Sequence, residues 1–561
     1  MGKPKQYSIG VDYGTNSVRA IVAEVGTGKI VGTHVYNYGT GKQGVILDPS
    51  NPLVARQNPA DYITGFYTSV RGALRQAKKV KGFDSDNVMG VGIDTTGSTP
   101  MPVNEEGIPL AMLSQFKGNL AAQAYIWKAH DGWEEATLIT KKAIRMGVEY
   151  LAKCGMTYSS EWFWSKIWHC QRTAPDVFRA AYSWVEACDF IPAYITSHNG
   201  EFNPRQIARS VCAAGHKAMY NDVWGGLPSK EFLKELSPDL AALRDRLYDK
   251  AVPSDKPAGY LDEQVARRLG LNKIPVAVGA FDAHHGAVGA GIQEGRLVKI
   301  IGTSTCDMMV AREISQDIPG ICGIVNGSII PGMYGLEAGQ SAVGDIFNWF
   351  VTYLGASGHL KKGEDPHQKF SKAASQLKPG ESGLMALDWN NGNRTILVDP
   401  LLSGLQMGHT LHTTGPETYR ALVEATAFGA LTIINRFKEY GVNVNEVVNC
   451  GGIAEKNPFL MQLYADVLDR PMKFSRSKQT CALGAAVFGA VAGGAYKTTE
   501  EAQAKMTGLS NKEYRPIRAN AKTYEDLYKL YFQLHEAFKK EGPLGNVMKG
   551  LASIRGRVRK A

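Results

Sequence analysis

The sequence predicts two α/β domains of similar design facing one cleft, on three observations. The chain has 561 residues, more than one hydrophobic core usually serves. It opens on two β-rich runs joined by a glycine–threonine bend, Tyr7-Ser-Ile-Gly-Val-Asp-Tyr-Gly-Thr-Asn-Ser-Val-Arg19. Near residue 297 the same pattern restarts, in Leu297-Val-Lys-Ile-Ile-Gly-Thr-Ser-Thr-Cys-Asp-Met-Met-Val310.

The elements follow in order. Three strands are predicted over 7–13, 17–25 and 30–36, then a helix over 59–79, with Pro59 near its start and Asp61 in its first turn. The apolar run 88–94 reads as a buried strand that delivers Asp94-Thr-Thr-Gly-Ser-Thr-Pro100 to a sheet edge, where open α/β sheets bind ligands. Residues 120–250 read as mostly helical, with the aromatic patch Trp162-Phe-Trp164 suited to core packing or to stacking on a sugar face. Ile274–Ala280 is another apolar strand, and Asp282 follows it. The polar stretch 355–379 reads as a surface excursion, 413–440 as one long helix, 447–452 as a strand running into a glycine turn, and 482–493 as a small-residue helix. The implied division is residues 1–287 and 288–561, with a basic tail after about 545.

Composition narrows the function classes. The chain is 44% hydrophobic and 21% charged, ordinary for a globular protein. No run is long enough to span a bilayer, and no apolar segment precedes the first strand. The eight cysteines are scattered without a C-x-x-C pair, which predicts reduced thiols in a cytoplasmic protein. The net charge of +10 owes much to Lys549, Arg555, Arg557, Arg559 and Lys560, which have no acidic sequence neighbour and predict a frayed, solvated tail. Neither a nucleic-acid nor a membrane partner is expected. Lys29 and Lys42 lack the following Ser or Thr of a Walker A loop, and the protein-kinase motifs are absent.

The bends carry the chemistry. Gly14 tolerates positive φ and lets a ligand approach the backbone. Thr15 and Asn16 add donors that suit phosphate oxygens. Asp12, at its strand's end, suits a hydrated Mg²⁺, which takes only one or two carboxylates. Arg19 is either a phosphate-neutralising group or an ordinary strand arginine. Gly302 and Thr303 repeat the first bend, so the pair is expected to hold the phosphates of ATP between the domains. Asp282 suits a helix N-cap or a general base. His284 and His285 lack metal-like spacing.

These segments, with Ser160-Glu-Trp-Phe-Trp-Ser-Lys-Ile-Trp168, Gly404-Leu-Gln-Met-Gly408 and Gly451-Gly-Ile-Ala-Glu-Lys-Asn457, resemble the FGGY family of carbohydrate kinases in family order. The resemblance implies two actin-like (ribonuclease H-like) domains around a central nucleotide and sugar cleft. It implies ATP and Mg²⁺, a small sugar substrate, and a homodimer as the family's common assembly. Segments such as Ser210-Val-Cys-Ala-Ala-Gly-His-Lys217 and Gly335-Leu-Glu-Ala-Gly-Gln-Ser341 are similar to members that phosphorylate the 5-hydroxyl of L-ribulose in L-arabinose catabolism. Another ketopentose, polyol or sugar acid stays open as the acceptor, as does an actin-type ATPase without one. By the same resemblance Asp282 is the base, Lys217, Glu337 and Gly97 hold the sugar, and Gly451, Gly452 and Asn457 face the adenosine, with Gly344 and Asn348 also on the nucleotide side.

Overall fold

A computed structural model describes residues 4–354 and 364–560. Two seven-stranded sheets carry the chain. The first holds β1 (Tyr7–Tyr13), β2 (Ser17–Glu24), β3 (Ile30–Asn37), β4 (Val88–Thr95), β5 (Pro257–Tyr260), β6 (Pro275–Ala277) and β7 (Ala280–Phe281). Its order is β5-β6-β4-β1-β2-β3, and β7 also pairs with β4. The second holds β8 (Arg296–Ile301), β9 (Thr305–Ala311), β10 (Gly323–Asn326), β11 (Tyr334–Ala338), β12 (Glu446–Cys450), β13 (Met472–Ser475) and β14 (Leu509–Tyr514), in the order β10-β11-β9-β8-β12-β13-β14.

The sheets share one plan. In each, a Gly-Thr hairpin (β1–β2, β8–β9) is antiparallel, and its first strand runs parallel to a later strand (β4, β12). The predicted strands sit within a residue or two of these bounds, except that the run 274–280 divides into β6 and β7. Each side has its own core: Ile9, Val11, Val91 and Ile93 pack with Phe66 and Val70 of α1 (Pro59–Ala77), and Leu297, Ile301 and Leu336 pack with Leu422 and Phe428. The helix entries match their chemistry, since Asn58 accepts from the Ala60 N–H at the start of α1.

Between the sheets lie α2 (Asp282–Gly289) and, beyond α3 (Gly415–Glu439), α4 (Thr480–Ala492). One apolar cluster joins Ile21 of β2, Val298 of β8 and Val448 of β12 to Ala287, Val288, Ala482 and Val487 of these helices. Small residues allow the approach: a Cβ at Gly10 or Gly92 would lie 1.8 Å from the carbonyl oxygen of Ala482 or Ala485, and one at Gly484 would lie 1.8 Å from that of His285.

Residues 120–250 are mostly helical, as expected, and include the strand Ser183–Glu186, which pairs with Pro100–Val103. Two expectations need correction. Part of the polar stretch, residues 355–363, lies outside the described residues, but Pro366–Ala374 is a helix whose Phe370 and Ala374 enter the second core. The basic tail forms a helix, α5 (Val547–Lys560); Met548 is buried, and Lys549 pairs with Asp399 at 2.6 Å. Local charge counting misses a partner that folding brings from far away in the chain. Among the described residues no helix is long and apolar enough to cross a membrane.

Candidate active site

Three carboxylates gather at the strand ends of the first sheet. Asp12 registers with Asp94 on the neighbouring parallel strand, so both side chains leave the same face. Ala280 of β7 also registers with Asp94, and Asp282, two residues on, returns to that face at the start of α2. Asp94 is fully buried, and no N–H or hydroxyl donor reaches either of its oxygens. Burial, then Asp12 and Asp282, push its carboxyl well above the usual range. Burial also raises Asp12, opposed by a hydrogen bond shared with the Asp94 carboxyl and by the charge of Arg19, which registers across from it on β2. Asp282 accepts from the Ala283 N–H at 2.7 Å, and burial followed by the Asp12 charge pushes its carboxyl up to about 7. The helix is capped at Phe281, with no side-chain cap.

Each bend is closed by its glycine N–H, but the second loop is one residue shorter: Gly14 N–H donates to Ser17 O and Gly302 N–H to Ser304 O, each at 2.9 Å. Gly14 is not in the left-handed region, contrary to the reason given for it, and an added Cβ would meet only Ser17 O at 3.6 Å. Thr15 Oγ1 accepts from Trp127 Nε1 at 3.0 Å. Asn16 is exposed, and its amide is committed to Gln43 O at 2.6 Å.

The second bend is braced by backbone. Gly344 N–H donates to Gly302 O at 3.1 Å, and Val343 and Asp345 N–H donate to Thr303 O at 2.8 and 3.1 Å. A Cβ on Gly344 would lie 2.6 Å from Gly302 O, and one on Gly451, where φ is +97°, 2.5 Å from Ile301 O. The fold thus brings Gly302, Gly344 and Gly451 together. Gly452 borders open space and Asn348 is exposed. Asn457 is engaged at both ends of its amide, accepting from Leu460 N–H and donating to Ser371 Oγ, each at 3.1 Å.

On the sugar side, Lys217 Nζ donates to Glu337 Oε1 and Oε2 at 3.0 and 2.9 Å. Both are buried, and the pair joins the two halves of the chain. Burial alone would push the Glu337 carboxyl up, but Lys217, then His216 and Arg394, outweigh it and hold it well below the usual carboxylate range. Lys217 lies 5.3 Å from the centre of the Trp162 ring, while Phe163 and Trp164 are core residues. Gly97 has a packing reason of its own: a Cβ there would lie 2.3 Å from the Phe281 ring. Glu337 and Asp282 feel each other's charge, so this cluster adjoins the three carboxylates.

Sequence reading missed several members. Arg394 Nη2 donates to Glu337 Oε1 at 2.8 Å. His216, His284 and Glu337 each offer a ligand atom within 4.8 Å of the others, a juxtaposition no local spacing reveals. Behind Gly97, Lys166 Nζ donates to Ser98 O at 2.8 Å and Thr99 N–H donates to Glu186 at 2.6 Å. Lys128 acts on Asp345 across the cleft, beside Trp127 and the first bend. The signal available for Asp94 was its strand-end position.

Comparison with known proteins places this geometry. Models of the N-terminal and C-terminal domains of the FGGY family of carbohydrate kinases match residues 7–289 and 297–493. A ribulokinase from Halalkalibacterium halodurans is 41% identical over 565 residues, covering 98% of each chain. A ribulokinase from Geobacillus thermodenitrificans is 41% identical over 552 residues, covering 95% of each. The crystal structure of a xylulose kinase from Rhodospirillum rubrum shares the fold, with a TM-score of 0.77 at 21% identity over 95% of this chain and 99% of that one.

Proposed function

The chain belongs to the FGGY family of carbohydrate kinases, and from that premise we propose that it transfers the γ-phosphoryl group of ATP to the 5-hydroxyl of L-ribulose. It is a sugar kinase, so ATP is its phosphoryl donor. The observation that carries ribulose as acceptor is the 41% identity to a ribulokinase over nearly the whole of both chains.

In this reading Asp282 accepts the proton of the 5-hydroxyl as that oxygen bonds to the γ-phosphorus and the bond to the β-γ bridging oxygen breaks, releasing ADP. Its position at a strand end facing the cleft, beside the Lys217–Glu337 pair, supports the role. Lys217, Glu337 and Gly97 orient the sugar. Gly14, Thr15, Asn16, Arg19, Gly302 and Thr303 hold the phosphates; Gly344, Asn348, Gly451, Gly452 and Asn457 border the adenosine. The half-buried Asp12 beside Asp94, whose buried oxygens no N–H or hydroxyl donor reaches, is a donor set that suits a hard cation. Asp12 would hold Mg²⁺ through water, and the ion would neutralise phosphate charge. Closure of the two halves would exclude water and limit wasteful ATP hydrolysis.

The test is ADP release with L-ribulose, D-ribulose, D-xylulose, ribitol, glycerol and gluconate. The expected result is the highest kcat/KM with L-ribulose and a 5-phosphate product. A higher kcat/KM with another acceptor would transfer the assignment to that sugar, and sugar-independent ATP hydrolysis would remove the acceptor altogether.

A further inference from the structure

The Lys217–Glu337 pair has more polar neighbours than two opposite charges need. Glu337 Oε2 accepts from Lys217 Nζ at 2.9 Å, yet it also faces His216 Nδ1 at 3.5 Å and His284 Nε2 at 3.9 Å. The two imidazole rings lie 4.5 Å apart and each residue is 1% exposed. His216 Nδ1 and both nitrogens of His284 have no hydrogen-bond partner. Buried polar atoms left unpaired are uncommon, and each calls for an explanation.

Ser328 Oγ lies 3.0 Å from both His216 Nε2 and Val325 O, and its single hydrogen serves only one of them. Served to Val325 O, it leaves His216 Nδ1 a bare acceptor; served to Nε2, it leaves Nδ1–H facing Glu337 Oε2. In either state both nitrogens of His284 stay unpaired, and the bare one is satisfied only by a group that brings a hydrogen or a positive charge. His284, with one N–H and one bare nitrogen, can donate to such a group as well as accept from it.

A metal ion and a hydroxyl both meet the first requirement. The charges decide between them. Lys217 and Arg394 already neutralise Glu337, and both imidazoles are neutral, burial holding His284 down to about 4 and His216 well below its usual value. Among the groups that touch Glu337, Lys217 and Arg394 leave one positive charge in excess, which opposes a divalent ion, whereas a hydroxyl adds no charge. A carbonyl, which only accepts, does not satisfy a bare nitrogen.

We infer that His216, His284 and Glu337 Oε2 seat one hydroxyl of the sugar other than the one phosphorylated, and that this seat selects which sugars are taken. The hydroxyl donates to Glu337 or His216 and accepts from His284. The inference rests on the sugar-kinase reading above and adds two specificity-determining residues to it.

The experiment measures kcat and KM of the full chain on L-ribulose and on its mono-deoxy analogues, for wild type, His284→Phe, His216→Phe and His284→Asn. In wild type one deoxy position, away from carbon 5, should be strongly disfavoured. His284→Phe should raise KM for L-ribulose roughly tenfold, more than it lowers kcat, the loss expected for one or two hydrogen bonds. The same variant should abolish the penalty at that one deoxy position and leave the others intact, which a merely structural role would not do. His284→Asn, which keeps a polar group, should fall between and serves if the phenylalanine variant does not fold. Deoxy penalties that match wild type in every folded variant would overturn the inference. Stoichiometric zinc held by the purified wild type and lost in the histidine variants would overturn it in favour of a metal. If another sugar proves to be the substrate, the L-ribulose assignment falls, and the same analogue series built on that sugar tests the seat.

Discussion

Lys217→Met withdraws one cation from a buried carboxylate while keeping the length of the side chain. The two side chains are each 4% exposed, and Nζ lies 2.9 Å from Glu337 Oε2. At an effective dielectric near 20, unit charges about 4 Å apart attract by roughly 4 kcal/mol. Arg394 remains 2.8 Å from Oε1, so the carboxylate is not left alone. Breaking a buried pair from one side destabilises by about 3–5 kcal/mol, and Arg394 puts this case at the lower end, about 3 kcal/mol. The pair joins the two halves, so the whole chain of 561 residues sets the scale, and at about 2.1 cal/mol/K per residue the thermal midpoint falls by roughly 2–3 °C. The sign with pH follows from the folded carboxyl lying below its unfolded value. The contribution of the pair is full above the unfolded carboxylate pKa and is lost only as pH falls through the folded value. Without Lys217, burial raises the Glu337 carboxyl, so the gap to wild type should narrow as pH is lowered towards about 5. The double variant Lys217→Met, Glu337→Met should recover most of the loss, because apolar replacement of a buried pair is often neutral or stabilising. Thermal melts of the three proteins between about pH 5 and 8 check this. A Lys217→Met midpoint within about 1 °C of wild type near pH 7, or a double variant no more stable than the single, would refute the reasoning.

Asp282→Asn should lower turnover by about 10²–10⁴ while equilibrium binding of sugar and nucleotide persists; turnover within about tenfold of wild type would remove Asp282 from the chemistry. Because a base acts when ionised and this carboxyl is pushed up to about 7, kcat/KM for the sugar should rise with pH until about 7 and level off above it, a limb that Asp282→Asn should lose. Gly92→Ala would set a Cβ 1.8 Å from the Ala485 carbonyl oxygen, on a helix backbone that cannot give way. Overpacking of this kind destabilises by about 1–3 kcal/mol or more, and a calorimetric midpoint at least roughly 1 °C lower is the expected reading. Deleting residues 547–561 removes the buried Met548 side chain and the Lys549–Asp399 pair, so the midpoint should fall by a few degrees; an unchanged midpoint would mean that α5 adds nothing to the fold.

The sequence was most legible where neighbours in the chain are neighbours in space. The hairpins of β1–β2 and β8–β9 could be read from alternation and a glycine–threonine bend, and α1 from its entry residues. Sites assembled from distant segments were legible only through resemblance. Lys217 and Glu337 are 120 residues apart, and neither carries a local mark of a sugar contact. Arg394 and His216 were passed over for the same reason: each gains its meaning only beside Glu337. Asp94 stands in a run that reads as a strand, and only the register with Asp12 and Ala280 shows that its carboxylate is buried without a partner. The tail misled because its charges looked unopposed, when Asp399 from a distant loop opposes Lys549.

The seating of α4 bears on how separable the halves are. By position in the chain this helix comes late, yet its backbone rests on Gly10 and Gly92 of the opening sheet and on α2. An isolated first half, cut before β8, would bare those glycine rows to solvent and should not fold unaided. A chimera that grafts the second half of a distant relative would have to import a helix with small residues in the same places, or lose the bed on which the first half lies. Insertions and fusions should therefore be tolerated at the outer edges of the two sheets and refused along this seam.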